Sequence, residues 1–407
     1  MTPFQTARTL ALAASLALPA PLALAQAPDP ADWAQVTEAA EGQTVYWHAW
    51  GGDTATNDFI SWVGDRVMAE HGVTLEHVKL SDTGDAVTRV LSEKQAGEDA
   101  DGAVDLIWIN GPNFAAMKDA GILFGPFAED LPNWQYVDVD GKTVQTDFTV
   151  PTEGLEAPWA MAQVVFMYDT ADIEGPLPSA EAIRDWAANN PGRFTYPQPP
   201  DFLGATFLKQ TLIELVDDNA VLGAPVDEAD FQAVTAPLWD YLDALTPNLW
   251  RQGRAYPASG PAQIQLLADD EIDLAISFNP NEASRNIAQF KLPETIRTFV
   301  LEDGTLGNAS FVAIPYNSGS KAGAMVVANY LMSPEAQVRA QDPEVLGYNT
   351  VLDMQALSDE QRAAFDALEL GVATLSPAEL GRVQPEPHPS WMTRVTEEWI
   401  ERYGVVQ

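Results

Sequence analysis

The chain has 407 residues, of which 46% are hydrophobic and 20% are charged, and it contains no cysteine. Its 59 acidic residues against 21 lysines and arginines give a formal net charge of −38. That charge argues against nucleic acid or an anionic membrane as partner, and the missing cysteines exclude disulfides, thiolate metal sites and thiol nucleophiles. Because the length exceeds what one hydrophobic core usually holds, two lobes are expected.

The first residues have the pattern of a secretory signal. Arg8 precedes an Ala/Leu-rich tract that ends in "ALAQ", and the small residues there fit cleavage after Ala25. Pro19 and Pro21 interrupt the tract, which argues against a membrane-spanning helix. We therefore expect a signal peptide at 1–25 and a periplasmic protein without a lipid anchor, with release to the medium as the alternative.

The next part of the chain alternates strands with helices. "QTVYWHAW" has the pattern of a buried strand, and in the following helix Phe59, Val63 and Val67 recur every four residues. The strand "VTLEHVKL", a helix from about Asp85 to Ala96, the strand "VDLIWI" and a helix opened by "NGPN" come next. This alternation predicts a parallel α/β sheet, in which ligands gather at the turns that follow the strands.

After Val150 the pattern changes. The proline-bounded segment "PTEGLEAPWAMAQVVFMYDT" ends in an apolar strand and is typical of a crossing between two lobes. A second alternating region reaches "DEIDLAISFNP", after which a strand and a long helix are predicted. The tail from Ser358 is predicted to be mainly helical.

Four stretches of the chain resemble one known family. They are the opening strand with "WGG", then "DLIWINGPNFAAMKDAGIL", "APWAMAQVVFMYD" and "NASFVAIPYNSGSKAGAMVVANYLMSPEAQ". Together they resemble the extracellular solute-binding proteins of ABC importers, in the branch with thiamine, polyamine and ferric-iron binders. The resemblance covers essentially the whole mature chain, and "NPGRFTYPQPPDFLGATF" and "LWRQGRAYPAS" are similar to a poorly characterised subgroup.

The resemblance implies an α/β fold of the type II periplasmic-binding-protein kind. Each of two lobes would be a mixed, mainly parallel sheet covered by helices, with a ligand cleft between the lobes. The first lobe would comprise 43–160 and 282–349, the second 161–281, and the helices of 350–407 would pack across both. A monomer that closes on a small ligand and docks on an ABC permease with its ATPase subunits is expected.

The turn after the first strand is the first candidate for ligand contact. Gly51 and Gly52 lack Cβ atoms, so successive N–H groups there could bind a polar oxygen at the start of the following helix. Asp53 could bind a cationic or hydroxylated ligand, or cap the helix instead.

Further candidates in the first lobe lie at the other expected cleft edges. Asn110 and Gly111 form the turn after the third strand, where they could contact a ligand or serve as ordinary turn residues. Trp50 and Trp159 adjoin turns and could stack on a flat or cationic ligand.

Candidates in the second lobe follow from the resemblance. In "TYPQPPDFLGATF" three prolines lead into a helix, and the resemblance implies that Tyr196, Asp201 and Phe202 face the cleft. Prolines of this kind also give plain rigidity. In "SFNPNEAS", Asn279 and Glu282 could reach a ligand or cap the helix that follows.

The charges of these turns favour a neutral or cationic organic ligand. None of them contains lysine or arginine, whereas Arg251 and Arg254 lie in an unplaced loop. An anionic ligand usually meets a guanidinium group, so both arginines lining the cleft would contradict this prediction. Thiamine-like cations, polyamines and quaternary amines are favoured, while sugars and short peptides stay open.

Metal binding, cofactors and catalysis are not expected. Ferric-iron binding in this branch depends on adjacent tyrosines, and no two of the ten tyrosines adjoin. The four histidines are too widely spaced for a convincing zinc site. "SGSK" matches S-x-x-K without its companion motifs, and no G-x-S-x-G, H-E-x-x-H or Walker motif is present. A secreted hydrolase acting on carbohydrate or ester, and a sensory binding protein, are the alternative functions.

Overall fold

The computed structural model describes residues 27–405, so the expected signal peptide lies outside the described residues. Its helices are α1 (Trp33–Ala40), α2 (Thr54–His71), α3 (Gly84–Ala96), α4 (Pro112–Asp119), α5 (Ala180–Asn189), α6 (Phe202–Leu215), α7 (Phe231–Leu245), α8 (Gly260–Ala268), α9 (Glu282–Ala288), α10 (Lys321–Leu331), α11 (Pro334–Gln341), α12 (Asp359–Asp366), α13 (Pro377–Leu380) and α14 (Pro389–Tyr403). Between residues 27 and 405, none of the helices is both long and apolar enough to span a membrane.

The strands are β1 (Thr44–Trp50), β2 (Thr74–Leu80), β3 (Leu106–Ile109), β4 (Thr146–Asp147), β5 (Val150–Pro151), β6 (Glu156–Gln163), β7 (Val165–Asp169), β8 (Leu274–Ser277), β9 (Ile296–Phe299), β10 (Thr305–Ala313) and β11 (Val383–Gln384). They form a six-stranded sheet, a three-stranded sheet and a short β4–β5 pair. The mixed α/β class predicted from the sequence is confirmed.

The six-stranded sheet belongs to the first lobe. Its order is β2–β1–β3–β10, and both β6 and β11 also pair with β10. β1 runs parallel to β2 and β3, while β10 runs antiparallel to β3 and β6. Phe59, Val63 and Val67 of α2 are buried, as their spacing predicts. The carboxyl ends of β1 and β3 therefore bring the two predicted turns to the same edge of the sheet.

The three-stranded sheet of the second lobe differs from the expected mainly parallel arrangement. Both β8 and β9 run antiparallel to the central strand β7. Among the described residues, the parallel contact to this sheet is a single bridge between Phe194 and Leu274. The antiparallel order arises because β7 enters the lobe directly from β6, whereas β8 and β9 return toward the first lobe.

Each lobe has its own hydrophobic core. The chain returns from the second lobe to the first at a later residue than expected. Ala283 and Ile287 of α9 lie in a second-lobe cluster, and β9 completes the three-stranded sheet. The expectation that the chain re-enters the first lobe at Glu282 is therefore not what the packing shows. Leu306 still packs with the second lobe and Ala309 with the first, so the crossing lies within β10.

The C-terminal segment contributes side chains to the cores of both lobes. Phe365 of α12 packs in the first-lobe cluster, whereas Trp391, Val395 and Trp399 of α14 pack in the second. The indole Nε1 of Trp399 donates to the hydroxyl of Tyr196 at 3.0 Å. The last helix is thus an integral part of the second-lobe core.

We predict that Trp399→Ala destabilises the protein by about 3–5 kcal/mol, because it empties a fully buried position and removes the bond to Tyr196. The free energy of unfolding from urea titration measures this loss. The control is Ile400→Ala at the next, exposed position, which should change stability by less than about 0.5 kcal/mol. Equal effects of the two substitutions would contradict the packing of α14.

Candidate functional site

The turn after β1 needs glycine because other atoms approach its backbone closely. A Cβ on Gly51 would lie 2.6 Å from the Cβ of Lys79, and one on Gly52 would lie 2.5 Å from the ring of Trp50. Neither glycine has the left-handed backbone that favours this residue. The half-buried ring of Trp50 therefore packs over its own turn, at the edge where the two lobes meet.

Asp53 links the first lobe to the second. It occupies the N-cap position of α2, but its side chain makes no capping hydrogen bond within the described part of the chain. Its carboxylate instead lies 3.1 Å from the Arg285 guanidinium, whose side chain is 7% exposed and comes from α9. The sequence predicted ligand binding or helix capping for Asp53. The ion pair with Arg285 was not predicted.

Glu282 joins the same group, which we call the Arg285 cluster (Asp53, Glu282 and Arg285). Its carboxylate is 3.9 Å from the guanidinium and also accepts a hydrogen bond from the hydroxyl of Ser277. Burial raises the pKa of Glu282, while Arg285 and Ser277 act in the opposite direction. Burial raises the pKa of the neighbouring Tyr348 to about 12, so its hydroxyl keeps its proton at neutral pH.

Asn279 lies beside the Arg285 cluster and also joins the lobes. It is buried, and its side-chain amide donates to the carbonyl of Leu346 at 2.8 Å. Asn281 donates in the same way to Gly347, where a Cβ would collide with the Asn281 side chain. These two asparagines hold the loop after β8 against the first lobe.

The turn after β3 is covered by the short β4–β5 pair. The amide of Gly111, which has a φ of 54°, donates to the carboxylate of Asp147 at 2.5 Å. A Cβ on Gly111 would lie 2.9 Å from the ring of Phe148, and the Asn110 side chain donates to the carbonyl of Ala309 at 2.6 Å. Asn110 and Gly111 thus both make contacts within the protein, and the ring of Phe148 packs against Gly111.

A buried lysine lies between Phe148 and the second lobe. The Nζ of Lys209, a 2% exposed side chain of α6, is 2.5 Å from the carboxylate of Glu386. It also lies 4.2 Å from the ring centroid of Phe148 and 5.5 Å from that of Phe202. Asn308 of β10 donates to the same Glu386 at 2.9 Å. A cation is thus held by carboxylate and aromatic groups from both lobes.

We call Asp147, Lys209 and Glu386 the Lys209 cluster. Burial lowers the pKa of Lys209, and both Glu386 and Asp147 oppose that effect. Burial raises the pKa of Glu386 and of Asp147, although Lys209 acts against both shifts. Lys209 is therefore paired with Glu386, and the carboxylate of Asp147 lies near the same buried ammonium group.

A third carboxylate, Glu156, lies beside the Lys209 cluster. Its side chain is 0% exposed, and neither of its carboxylate oxygens has a hydrogen-bond partner among residues 27–405. Burial and the neighbouring charge of Asp147 raise the pKa of Glu156 well above its usual range. Carboxylates consequently outnumber basic groups in this part of the molecule.

The turn before α6 supplies a helix cap and an exposed ring. Asp201 accepts hydrogen bonds from the amides of Leu203 and Gly204, at 2.9 and 3.3 Å, as expected of a capping residue. Burial raises the pKa of Asp201 to about 6. The Phe202 ring is 41% exposed and packs edge-on against Phe278, with centroids 5.4 Å apart. The exposed ring of Phe202 is therefore available for ligand contact at the junction. The carboxylate of Asp201 already accepts the two capping hydrogen bonds.

Two predicted ligand-binding aromatics lie in the cores instead. Trp159 is 0% exposed and packs against Trp47, Phe59 and Trp108. Tyr196 is also 0% exposed and stacks on a phenylalanine of α6 at a centroid distance of 4.3 Å. Trp159 and Tyr196 are close in sequence to turns that were predicted to border the cleft. Their rings point into the core of their own lobe instead.

The arginines that could have contradicted a cationic ligand lie on the surface. Arg251 and Arg254 are both exposed. Arg251 stacks on Trp250, with its guanidinium carbon 4.1 Å from the ring centroid, and Arg254 donates to the side chain of Gln252 at 2.7 Å. One arginine that does reach the junction is Arg285, which was not predicted from the sequence.

Lys209, Asp147 and Glu386 are also absent from the residues predicted from the sequence. One signal was present, because Lys209 is the one basic residue of the apolar helix "FLGATFLKQTLIEL", where an unpaired charge is unfavourable. Its partner Glu386 is 177 residues away in sequence, so no local pattern could indicate the pair.

Comparisons with known proteins identify the family. The family model described as bacterial extracellular solute-binding protein matches residues 62–364. Protein YnjB of Escherichia coli (strain K12) is 43% identical over 373 residues, covering 92% of this chain and 94% of YnjB. The chain belongs to the bacterial extracellular solute-binding proteins. The resemblance predicted from the sequence is thereby confirmed, and the family is one of binding proteins rather than enzymes.

Solved structures of solute-binding proteins share the fold. A putative spermidine/putrescine ABC transporter protein from Listeria monocytogenes has a TM-score of 0.62 at 17% identity, covering 88% of this chain and 98% of its own. The periplasmic binding protein AfuA from Actinobacillus pleuropneumoniae, with fructose 6-phosphate bound, has a TM-score of 0.63 at 13% identity, covering 89% and 99%. At these identities the likeness establishes the two-lobed fold alone.

We predict that Asp53→Asn increases the mean distance between the lobes of this solute-binding protein. The substitution removes the charge that Arg285 pairs with and leaves the helix cap unaffected, since the side chain makes no capping bond within residues 27–405. Energy transfer between dyes on the two lobes measures the distance. Asp58→Asn, at an exposed position of the same helix, is the control and should leave it unchanged.

We also predict that Glu156→Gln alters the pH dependence of stability. A carboxyl whose folded pKa is raised contributes stability below its unfolded pKa and loses it as pH rises through the folded pKa. Between pH 5 and pH 8 the wild type should therefore lose more thermal stability than the variant. Glu38→Gln, which changes an exposed carboxyl of α1, should follow the wild type. Parallel melting curves for all three proteins would contradict a raised pKa.

Proposed function

We propose that this chain is the periplasmic substrate-binding component of an ABC importer and that it captures a small organic cation at the junction of its lobes. The observation that carries the ligand class is the excess of acidic over basic side chains there. The Arg285 cluster has two carboxylates for one guanidinium, and the Lys209 cluster has two carboxylates for one ammonium. A site of this composition favours a cation over an anion.

The aromatic rings at the junction support the same class of ligand. Phe148 and Phe202 face an ammonium group that already belongs to the protein. The face of an aromatic ring attracts cations, and the attraction is stronger where water is excluded. Phe202 and Trp50 keep exposed surface that a ligand could cover.

Closure provides the link between ligand capture and transport. An ion pair of Arg285, a cation–π contact of Lys209 and a hydrogen bond of Asn279 already connect the lobes. A ligand that contacts both lobes binds the closed form more tightly than the open form, so it shifts the population toward the closed form. The size of the shift is set by the difference between the two affinities. A permease that recognises the closed form would then receive loaded protein in preference to empty protein.

The comparisons fit this proposal without deciding the ligand. The Listeria protein is described as belonging to a putative spermidine/putrescine transporter, which is a cationic substrate class. AfuA binds fructose 6-phosphate on the same fold, so the fold itself is compatible with anions. The argument for a cation therefore depends on the charges of this chain.

We predict that the mature protein, purified without denaturation, carries a retained cationic solute. Native mass spectrometry should show a mass excess that disappears after the same sample is unfolded and refolded. Addition of the identified solute at a hundred times its Kd should then stabilise the refolded protein by about 2.7 kcal/mol. A retained anion, such as a phosphate ester, would contradict the proposed ligand class while leaving the role in solute binding intact.

A further inference from the structure

The tip of the short β4–β5 hairpin has a backbone conformation that its residues do not favour. Asp147 pairs with Val150, so Phe148 and Thr149 form a two-residue turn. Both residues have positive φ angles, of 44° and 72°. Turns of this kind favour asparagine and glycine, whereas a bulky or β-branched residue is strained in them. Strain of this kind persists only where the surrounding structure holds it, and it is concentrated at functional sites.

Contacts on both strands of the hairpin hold it against the first lobe. The carboxylate of Asp147 accepts a hydrogen bond from the amide of Gly111 at 2.5 Å. On the other strand, the ammonium of Lys118 donates to the carbonyl of Pro151 at 2.5 Å. A Cβ on Gly111 would lie 2.9 Å from the ring of Phe148, so this glycine leaves room for the ring. The position of the strained tip is thus set by the first lobe.

The ring of Phe148 is buried outside the hydrophobic cores of both lobes. The residue is 3% exposed, yet within residues 27–405 it belongs to none of the three core clusters. The centroid of its ring lies instead 4.2 Å from the Nζ of Lys209, on α6 of the second lobe. A side chain of the first lobe is therefore buried against a charge of the second.

The neighbours of Lys209 fix its ammonium group in place. The Nζ lies 2.5 Å from one carboxylate oxygen of Glu386, and the other oxygen accepts from Asn308 at 2.9 Å. The ring centroid of Phe202 is 5.5 Å from the same Nζ. The Lys209 side chain is 2% exposed, and the attraction between a cation and an aromatic ring is stronger where water is excluded. Phe148 thus faces a fixed and desolvated charge.

Packing alone does not account for the residue at position 148. A leucine there would also bury apolar surface, but it would leave the ammonium of Lys209 facing an alkyl group. The face of an aromatic ring is negative, so it attracts the ammonium as well as filling the space. The hairpin is bound to the first lobe and α6 packs in the core of the second. Moving the lobes apart therefore breaks this attraction.

We propose that Phe148 and Lys209 are the two halves of a latch that holds the lobes closed around the transported solute. This inference rests on the proposed function, because it takes closure to be the step that captures the solute. Opening separates the ring from the ammonium, while Lys209 stays paired with Glu386. The latch therefore stabilises only the closed form, and its contribution adds to that of the solute.

Single-molecule energy transfer between the lobes of the mature protein tests the latch. The chain has no cysteine, so dyes attach uniquely at Glu38→Cys in the first lobe and Asp240→Cys in the second, both exposed positions. Phe148 is replaced by pentafluorophenylalanine, which keeps the ring but removes the negative charge from its face. We expect the ratio of closed to open molecules to fall about tenfold. Protein as purified and protein that has been unfolded and refolded are both measured.

A neutral background shows whether the charge of Lys209 is responsible. Lys209→Met combined with Glu386→Gln removes both charges together, so neither is left buried without its partner. In this background the fluorinated ring at position 148 should not change the ratio of closed to open molecules. Thermal unfolding confirms that each variant is folded.

Phe124 provides the matched control. Its ring centroid lies 5.8 Å from the Nζ of Lys321, and both residues belong to the first lobe. Pentafluorophenylalanine at position 124 therefore weakens a contact of the same kind within one lobe. The ratio of closed to open molecules should stay unchanged.

The outcomes separate the latch from the proposed function. An unchanged ratio in both samples with the fluorinated ring at position 148 overturns the latch, even if native mass spectrometry finds a retained cation. An equal fall in the neutral background overturns the role of Lys209, because the ring then acts by packing. If the ratio falls as expected but the retained solute is an anion, the latch stands and the proposed ligand class fails.

Discussion

The antiparallel pairing of β6 with β10 is the interaction on which the rest of the structure depends. Seven residue pairs, from Gly307–Gln163 to Ala313–Glu156, join the strand that leaves the first lobe to the strand that returns to it. The ladder fixes these two crossings side by side. It also reaches the charged junction, since Asn308 of β10 donates a hydrogen bond to Glu386.

The polar contacts around this connection explain why the lobes can both meet and part. Ionisable groups buried between two surfaces lose hydration, and good pairing only partly compensates for that loss. Arg285 and Lys209 are paired, whereas Glu156 is not. In the closure that we propose, opening exchanges imperfect contacts for water, which keeps the free-energy difference between the two forms small. A modest ligand contribution is then sufficient to select one of them.

Local pattern predicted the first lobe well and the site only in part. The four-residue spacing of Phe59, Val63 and Val67 fixes which face of α2 is buried, and the turns after β1 and β3 do lie at one sheet edge. The rings of Trp159 and Tyr196 could not be placed, because a shift of one residue along an extended segment moves a side chain to the opposite face. Long-range pairs such as Lys209 with Glu386 depend on chain crossings that no local spacing records.

The two cores have a consequence for the timing of folding. The first-lobe cluster draws on residues from Val36 to Phe365, and the main second-lobe cluster on residues from Val164 to Trp399. A chain delivered from its N-terminus cannot finish the first core before α12 has emerged, or the second before α14. Contacts between such distant segments form late and slowly. Neither core can therefore be completed before the C-terminal helices have been made, which suits the export that we propose for this chain.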